Sequence, residues 1–251
     1  MKDELKISYS VCSEAGRIAG ENEDNFYVNG RILRPGVPCC RLTENTESGD
    51  ALFAVFDGLG GEEHGELASA MAAENLGRYH GTFGSFYDQY LTETNRMIAE
   101  KLQKGKANTG TTVAAVAIRG REAVIVNLGD SRVYLIENNT IKQLSTDHSE
   151  FATMLRYGVV QKEEYYTSPL RSHLTRYLGM HSGELLEPGV VRTIFRPGSM
   201  FLLCSDGVCG SLTDEEMLAS IREERTAEHL VRKALTAGSR DNVTAILVWT
   251  D

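Results

Sequence analysis

The stretch Ala123-Val124-Ile125-Val126-Asn127-Leu128-Gly129-Asp130-Ser131-Arg132-Val133-Tyr134-Leu135-Ile136 places two apolar, β-branched runs on either side of a Gly-Asp pair. Residues of these types suit a pleated, half-buried surface, and turn formers close the first run. The link between the runs is far too short for the crossover that parallel strands need, so the strands belong in mainly antiparallel sheets. Residues 190–195 and 200–204 repeat the arrangement with an equally brief link. Similar runs recur at 25–28, 51–56, 111–118 and 243–249.

Helical periodicity is clearest at 83–102, where Phe83, Phe86, Tyr87, Tyr90, Leu91, Met97, Ile98 and Leu102 share one face. Ala227, Leu230, Val231, Ala234 and Leu235 repeat the pattern, with Gly238 placed as a helix stop. Thr213 and Glu216 have capping-box spacing ahead of Met217 and Leu218, and the Ala-rich stretch 65–79 reads as a fourth helix. Residues 34–50, rich in breakers, read as one long surface loop. Strands arrive in clusters with helices between them. The architecture expected is α+β: a layered α-β-β-α sandwich of two mainly antiparallel sheets flanked by helix pairs. No repeat or linker divides the sequence, so 1–251 is expected to form a single domain.

Acidic residues outnumber basic ones by 35 to 26, a formal charge of −9 that repels phosphodiester backbones and anionic membranes. Nucleic acid is excluded as an expected partner. The first residues are charged, and no stretch approaches the roughly 18 apolar residues of a membrane span, so membrane insertion is not expected and the expected compartment is the cytoplasm. The five cysteines lack the paired spacings of a zinc site and read as reduced thiols.

Asp57, Asp130 and Asp206 each follow an apolar run, whereas Asp24 and Asp241 precede one. In antiparallel pairing a strand start lies beside a strand end, so all five can converge on one edge. Clustered carboxylates repel one another and raise one another's pKa unless a cation neutralises them. Oxygen donors without a matching His or Cys set favour hard cations such as Mg²⁺ or Mn²⁺. Any one Asp-Gly at a strand end is better explained as a turn; the recurrence is what points to a site.

The motifs Asn22-Glu23-Asp24, Asp57-Gly58-Leu59-Gly60-Gly61, Gly110-Thr111-Thr112, Gly129-Asp130-Ser131-Arg132, Ser205-Asp206-Gly207 and Asp241-Asn242-Val243-Thr244, in this order, resemble those of the metal-dependent protein phosphatases. These are the type 2C serine/threonine enzymes, here in their compact bacterial form. The resemblance spans nearly the whole chain. It implies that Asp57, Asp206 and Asp241 hold one ion, and that Asp57 and the Gly58 carbonyl hold a second, with Glu23 and Asp24 reaching it through water. It also implies a third, weaker ion between Asp130 and Asp206, and a flap at about 148–169. Two or three Mn²⁺ or Mg²⁺ ions would activate a metal-bridging water against phosphoserine or phosphothreonine. The implied partners are phosphorylated protein substrates of a serine/threonine kinase, and the expected state is a monomer.

The sequence departs from the family pattern where a phosphate-binding Arg is expected: Ala19 stands there, and Arg17, two residues earlier, is the candidate replacement. Leu59 stands where a His or Met is usual. No histidine is assigned a role. Thr111 and Thr112 are best explained by strand packing, and Arg132 and Arg176 by pairing with acids. The competing classes are a non-catalytic metal or phosphate sensor and a different two-metal hydrolase such as a nuclease.

Overall fold

The computed structural model describes residues 6–16, 21–34, 39–46, 50–60, 64–79, 86–102, 109–181 and 184–250. Strands β1 (Ile7–Glu14), β2 (Asn25–Val28), β3 (Arg31–Ile32), β4 (Cys39–Thr46), β5 (Asp50–Phe56) and β6 (Gly58–Leu59) precede the helix pair α1 (Gly65–Leu76) and α2 (Phe86–Leu102). After β7 (Gly110–Thr111), β8 (Val113–Arg119), β9 (Glu122–Leu128), β10 (Arg132–Glu137) and β11 (Thr140–Gln143) comes helix α3 (Glu150–Arg156). Strands β12 (Gly189–Ile194) and β13 (Met200–Cys204) lead to α4 (Asp206–Cys209), α5 (Asp214–Glu223), α6 (Ala227–Ala237) and β14 (Val243–Thr250).

Two six-stranded sheets result, in the orders β11-β10-β13-β14-β1-β4 and β12-β9-β8-β5-β2-β3, with β6 and β7 as a separate short ladder. Every ladder in the two large sheets is antiparallel. The reason differs from the one the short links suggest. β9 and β10 do not pair with each other; nor do β12 and β13. Each link instead carries the chain from one sheet to the other, and the antiparallel partners come from elsewhere in the chain.

Tyr9, Phe26, Phe53, Phe201 and Ile246 fill the space between the sheets. Ala68, Ala72, Leu76, Tyr90 and Ile98 of α1 and α2 cover Phe56 and Val126 on the second sheet. Met217, Ile221, Leu230 and Val231 of α5 and α6 cover Leu202 and Leu247 on the first. Both faces of the central strands are thus buried, which is why β5 and β14 read as continuous apolar runs rather than alternating ones. The foreseen capping box holds: Thr213 Oγ1 accepts from Glu216 N at 3.2 Å, and Glu216 Oε2 accepts from Thr213 N at 2.8 Å. Gly238 ends α6 at φ 104°, in the left-handed region.

The expected surface loop at 34–50 is corrected: β4 occupies part of it and pairs with β1 along its whole length. As an edge strand it needs only one apolar side, supplied by Cys40 and Leu42 against the core, so its composition resembles a loop. β1 was likewise not foreseen as a strand, although Ile7, Tyr9 and Val11 alternate inward. Cys204 and Cys209 are free thiols. No helix among the described residues is long and apolar enough to cross a membrane.

Candidate functional site

The strand registers carry the acids to one end of the sandwich. Asn25 lies opposite Phe56, so Asp24 and Asp57, each one residue beyond, are neighbours across a strand start and a strand end. Arg132 opposes Cys204, and Cys204 opposes Ala245, which brings Asp130, Asp206 and the segment holding Asp241 to the same rim.

Main-chain and side-chain bonds lock the loops together. Gly58 N donates to Glu23 O at 3.2 Å, and Glu23 N donates to Asn242 Oδ1 at 2.8 Å. Asn242 Nδ2 in turn donates to Ala15 O and Glu21 O, at 2.6 and 3.1 Å. Ser205 Oγ donates to Asp24 Oδ2 at 2.7 Å, joining Asp24 to the residue just before Asp206. Asp57 N donates to Thr112 Oγ1 at 3.0 Å, and Thr111 Oγ1 donates to Asp57 O at 2.9 Å. The two threonines therefore do more than pack, because their hydroxyls fix the backbone of Asp57. The structure also adds Asn242, Ser205 and His148 to the residues that shape the site. His148 accepts from Gly129 N through Nδ1 at 3.2 Å, beside Asp130. Burial pushes its imidazole down to about 4, and the nearby Arg176 adds to this, so it accepts as a neutral ring. Asn242 and Ser205 lay within quoted motifs without a role of their own there; nothing local in the sequence distinguishes His148.

The carboxylates raise one another. Burial comes first for Asp57, whose pKa lies well above the usual range, followed by the charges of Asp24, Asp206, Asp241 and Asp130. Asp24 is pushed up to about 8, by burial and then by Asp241 and Asp206, against the lowering bonds from Thr244 and Ser205. Asp130 is raised by burial and by Asp206 and Asp147. Asp206 rises to about 6 through burial and Asp241, while Arg171 and Arg132 pull it down. Glu23 is raised by burial and then by Glu66 and Asp241. Asp57 and Asp206 keep partial access to solvent and Asp241 is exposed, so the group lines an open cleft.

Several features suit divalent cations. The buried oxygens Asp24 Oδ1 and Asp206 Oδ1 have no hydrogen-bond partner among the described residues. A Cβ on Gly58 would stand 2.4 Å from Gly65 O and 2.6 Å from Glu23 O, so only glycine leaves the backbone free at that position. Among the described residues no group of three or more acidic, imidazole or thiol side chains is placed to hold a metal ion by itself. Carbonyl and water oxygens would have to complete any ligand set, as Mg²⁺-like ions prefer. Arg17 and Ala19 lie outside the described residues. Arg132 and Arg176 pair with acids as expected, with Asp147 and Glu187 respectively.

Residues 40–247 match the protein phosphatase 2C family, and the chain belongs to it. It is 31% identical to the serine/threonine phosphatase stp of Listeria welshimeri, over 94% of this chain and 93% of that one. It is 28% identical to PstP of Mycobacterium tuberculosis over 97% of its own length but only 45% of the relative's, so it spans about half of that protein. Among solved structures, the catalytic domain of PstP in complex with two manganese ions superposes with a TM-score of 0.80 at 26% identity, over 98% of this chain and 99% of that one.

Proposed function

We propose that this chain hydrolyses phosphoserine and phosphothreonine esters in proteins, with two or three Mn²⁺ or Mg²⁺ ions held by its rim carboxylates. The observation that carries the reading is the set of mutually repelling acids at one rim, in which Asp24 and Asp206 each keep a buried oxygen without a hydrogen-bond partner among the described residues. Asp57, Asp206 and Asp241 hold one ion; Asp57 and the Gly58 carbonyl hold a second, with Glu23 and Asp24 acting through water; Asp130 and Asp206 hold a third. When bound, the ions supply charge neutralisation for the phosphoryl oxygens and a water acidic enough to act as nucleophile near neutral pH. Ser205 keeps Asp24 oriented by donating to Oδ2, which leaves Oδ1 for the site. Thr111 and Thr112 fix the backbone from which the Asp57 carboxylate projects. Arg17 is the proposed contact for the substrate phosphate. The proposed setting is the cytoplasm, with the chain acting as one catalytic domain opposite a serine/threonine kinase.

The test is turnover of p-nitrophenyl phosphate and of a phosphothreonine peptide by purified protein in Mn²⁺ or in EDTA. Release of phosphate from both, abolished by EDTA, is the expected result. Absence of turnover with Mn²⁺ would overturn the reading.

A further inference from the structure

A cleft of about 690 Å³ opens beside the acids, lined among others by Tyr166, Arg171, Asp206, Gly210, Arg240 and Asp241. Two walls of it are cationic. Arg171 comes from the short 3₁₀ turn Pro169–Ser172, and its Nη1 donates to Gly210 O at 3.1 Å; its guanidinium lies 5.6 Å from the centre of the Tyr165 ring, and its Nε and Nη2 have no hydrogen-bond partner among the described residues. Arg240 stands exposed between the end of α6 and Asp241, without a hydrogen bond or ion pair among the described residues.

Many other arginines of this chain are engaged by acids. Arg31, Arg41, Arg96, Arg119, Arg132 and Arg176 all pair with carboxylates. Arg171 and Arg240 share their cleft with Asp206 and Asp241, yet neither pairs with them. If those two acids are committed to cations, the free charge left in the cleft is positive. The net charge of −9 repels anionic peptides only at long range. Within a Debye length of about 8 Å, the local pair of guanidinium groups dominates.

We propose that Arg171 and Arg240 form a specificity subsite that binds an anionic side chain beside the phosphorylated residue, so that substrates with a flanking carboxylate or second phosphate are preferred. This rests on the phosphatase reading and adds a substrate class to it. Guanidinium groups suit both anions, since each offers paired N–H donors to two oxygens.

The experiment compares kcat/KM on phosphothreonine peptides of one length carrying Glu, a second phosphothreonine or Lys beside the scissile residue, on either side. The unaltered protein is expected to favour the anionic peptides over the Lys peptide by about threefold to tenfold, as partly exposed charge pairs allow. The Glu and phosphothreonine arms distinguish carboxylate from phosphate recognition. Arg240→Gln, at an exposed position that leaves the fold unburdened, is expected to shrink the ratio, and Arg240→Glu to reverse it in favour of Lys. Arg171→Gln is expected to shrink it too, and taking the ratio within each protein removes any general effect on turnover. Added salt should compress the preference. Equal kcat/KM on all three peptides, or a ratio untouched by both Arg240 substitutions, overturns the subsite. Turnover of p-nitrophenyl phosphate by the unaltered protein tests the phosphatase reading separately, because that substrate has no flanking residue.

Discussion

Arg132 and Asp147 form a bidentate ion pair inside the protein, with Nη2 to Oδ2 at 2.6 Å, Nε to Oδ1 at 2.9 Å, and side chains only 9% and 8% exposed. Tyr134 Oη accepts a further bond from Nη1 at 3.1 Å, and the guanidinium lies 4.5 Å from the centre of the Tyr165 ring. The pair joins β10 to the segment that carries His148. Removing one partner strands the other charge, so Asp147→Ala is expected to cost about 3–5 kcal/mol of stability. Urea unfolding measures it. A loss near zero would mean that solvent reaches Arg132 freely once its partner is gone.

Gly58→Ala places a methyl group against Gly65 O and Glu23 O, two main-chain atoms that cannot swing aside. The expected cost is about 1–3 kcal/mol, typical of overpacking. Mn²⁺ affinity should fall as well, because Glu23 O belongs to the segment that carries Glu23 and Asp24, and Gly58 itself adjoins Asp57. Calorimetric titration with Mn²⁺ checks this, and unchanged affinity would separate the glycine from the cation site.

Asp24 and Asp206 titrate higher in the folded chain, at about 8 and about 6, than the ordinary carboxylates of the unfolded chain. Over the interval between, the folded state holds more protons, so stability falls as pH rises, from about pH 4 upward to the folded values. Chelated protein is therefore expected to melt several degrees lower at about pH 8 than at about pH 5. Mn²⁺ should restore the loss, because cations replace the missing protons. Melting curves in EDTA that rise across this range would contradict the picture.

Asp206→Asn removes one of the crowded charges and one of the orphaned oxygens' negative ends. Loss of metal-dependent turnover is expected, together with a chelated protein that melts at or above the unaltered one near neutral pH. Mn²⁺-dependent activity at the original rate would refute the assignment of Asp206 to the ions.

Much of the fold was legible because the central strands are buried on both faces: β5, β9, β13 and β14 declare themselves as unbroken apolar runs. β4 did not, since an edge strand facing solvent needs only Cys40 and Leu42 on its inner side. The pairing of strands was hidden too. A brief link such as 128–131 looks the same in sequence whether it closes a hairpin or steps between sheets; sheet packing decides which. At the site, Asp24, Asp57, Asp130, Asp206 and Asp241 could be found from their positions at strand ends. The orienting role of Ser205, a residue quoted only as part of a motif, and that of His148 could not, because a serine that orients a carboxylate, or a neutral histidine that accepts from a glycine amide, has no local pattern. Their partners lie far away in the chain: Asp24 for Ser205, and Gly129 for His148.

The position of β14 bears on how the protein is made. It sits in the middle of its sheet, paired with β13 on one side and with β1 on the other, Ile7 opposite Thr250. Pairings this distant in sequence form slowly and only once both partners exist. A nascent chain emerging from the ribosome therefore has a gap through its first sheet until the last of these residues is out. Asp241 and Asn242, directly before β14, reach the rim only as that strand is seated, so the first sheet and the acidic edge beside it are completed together.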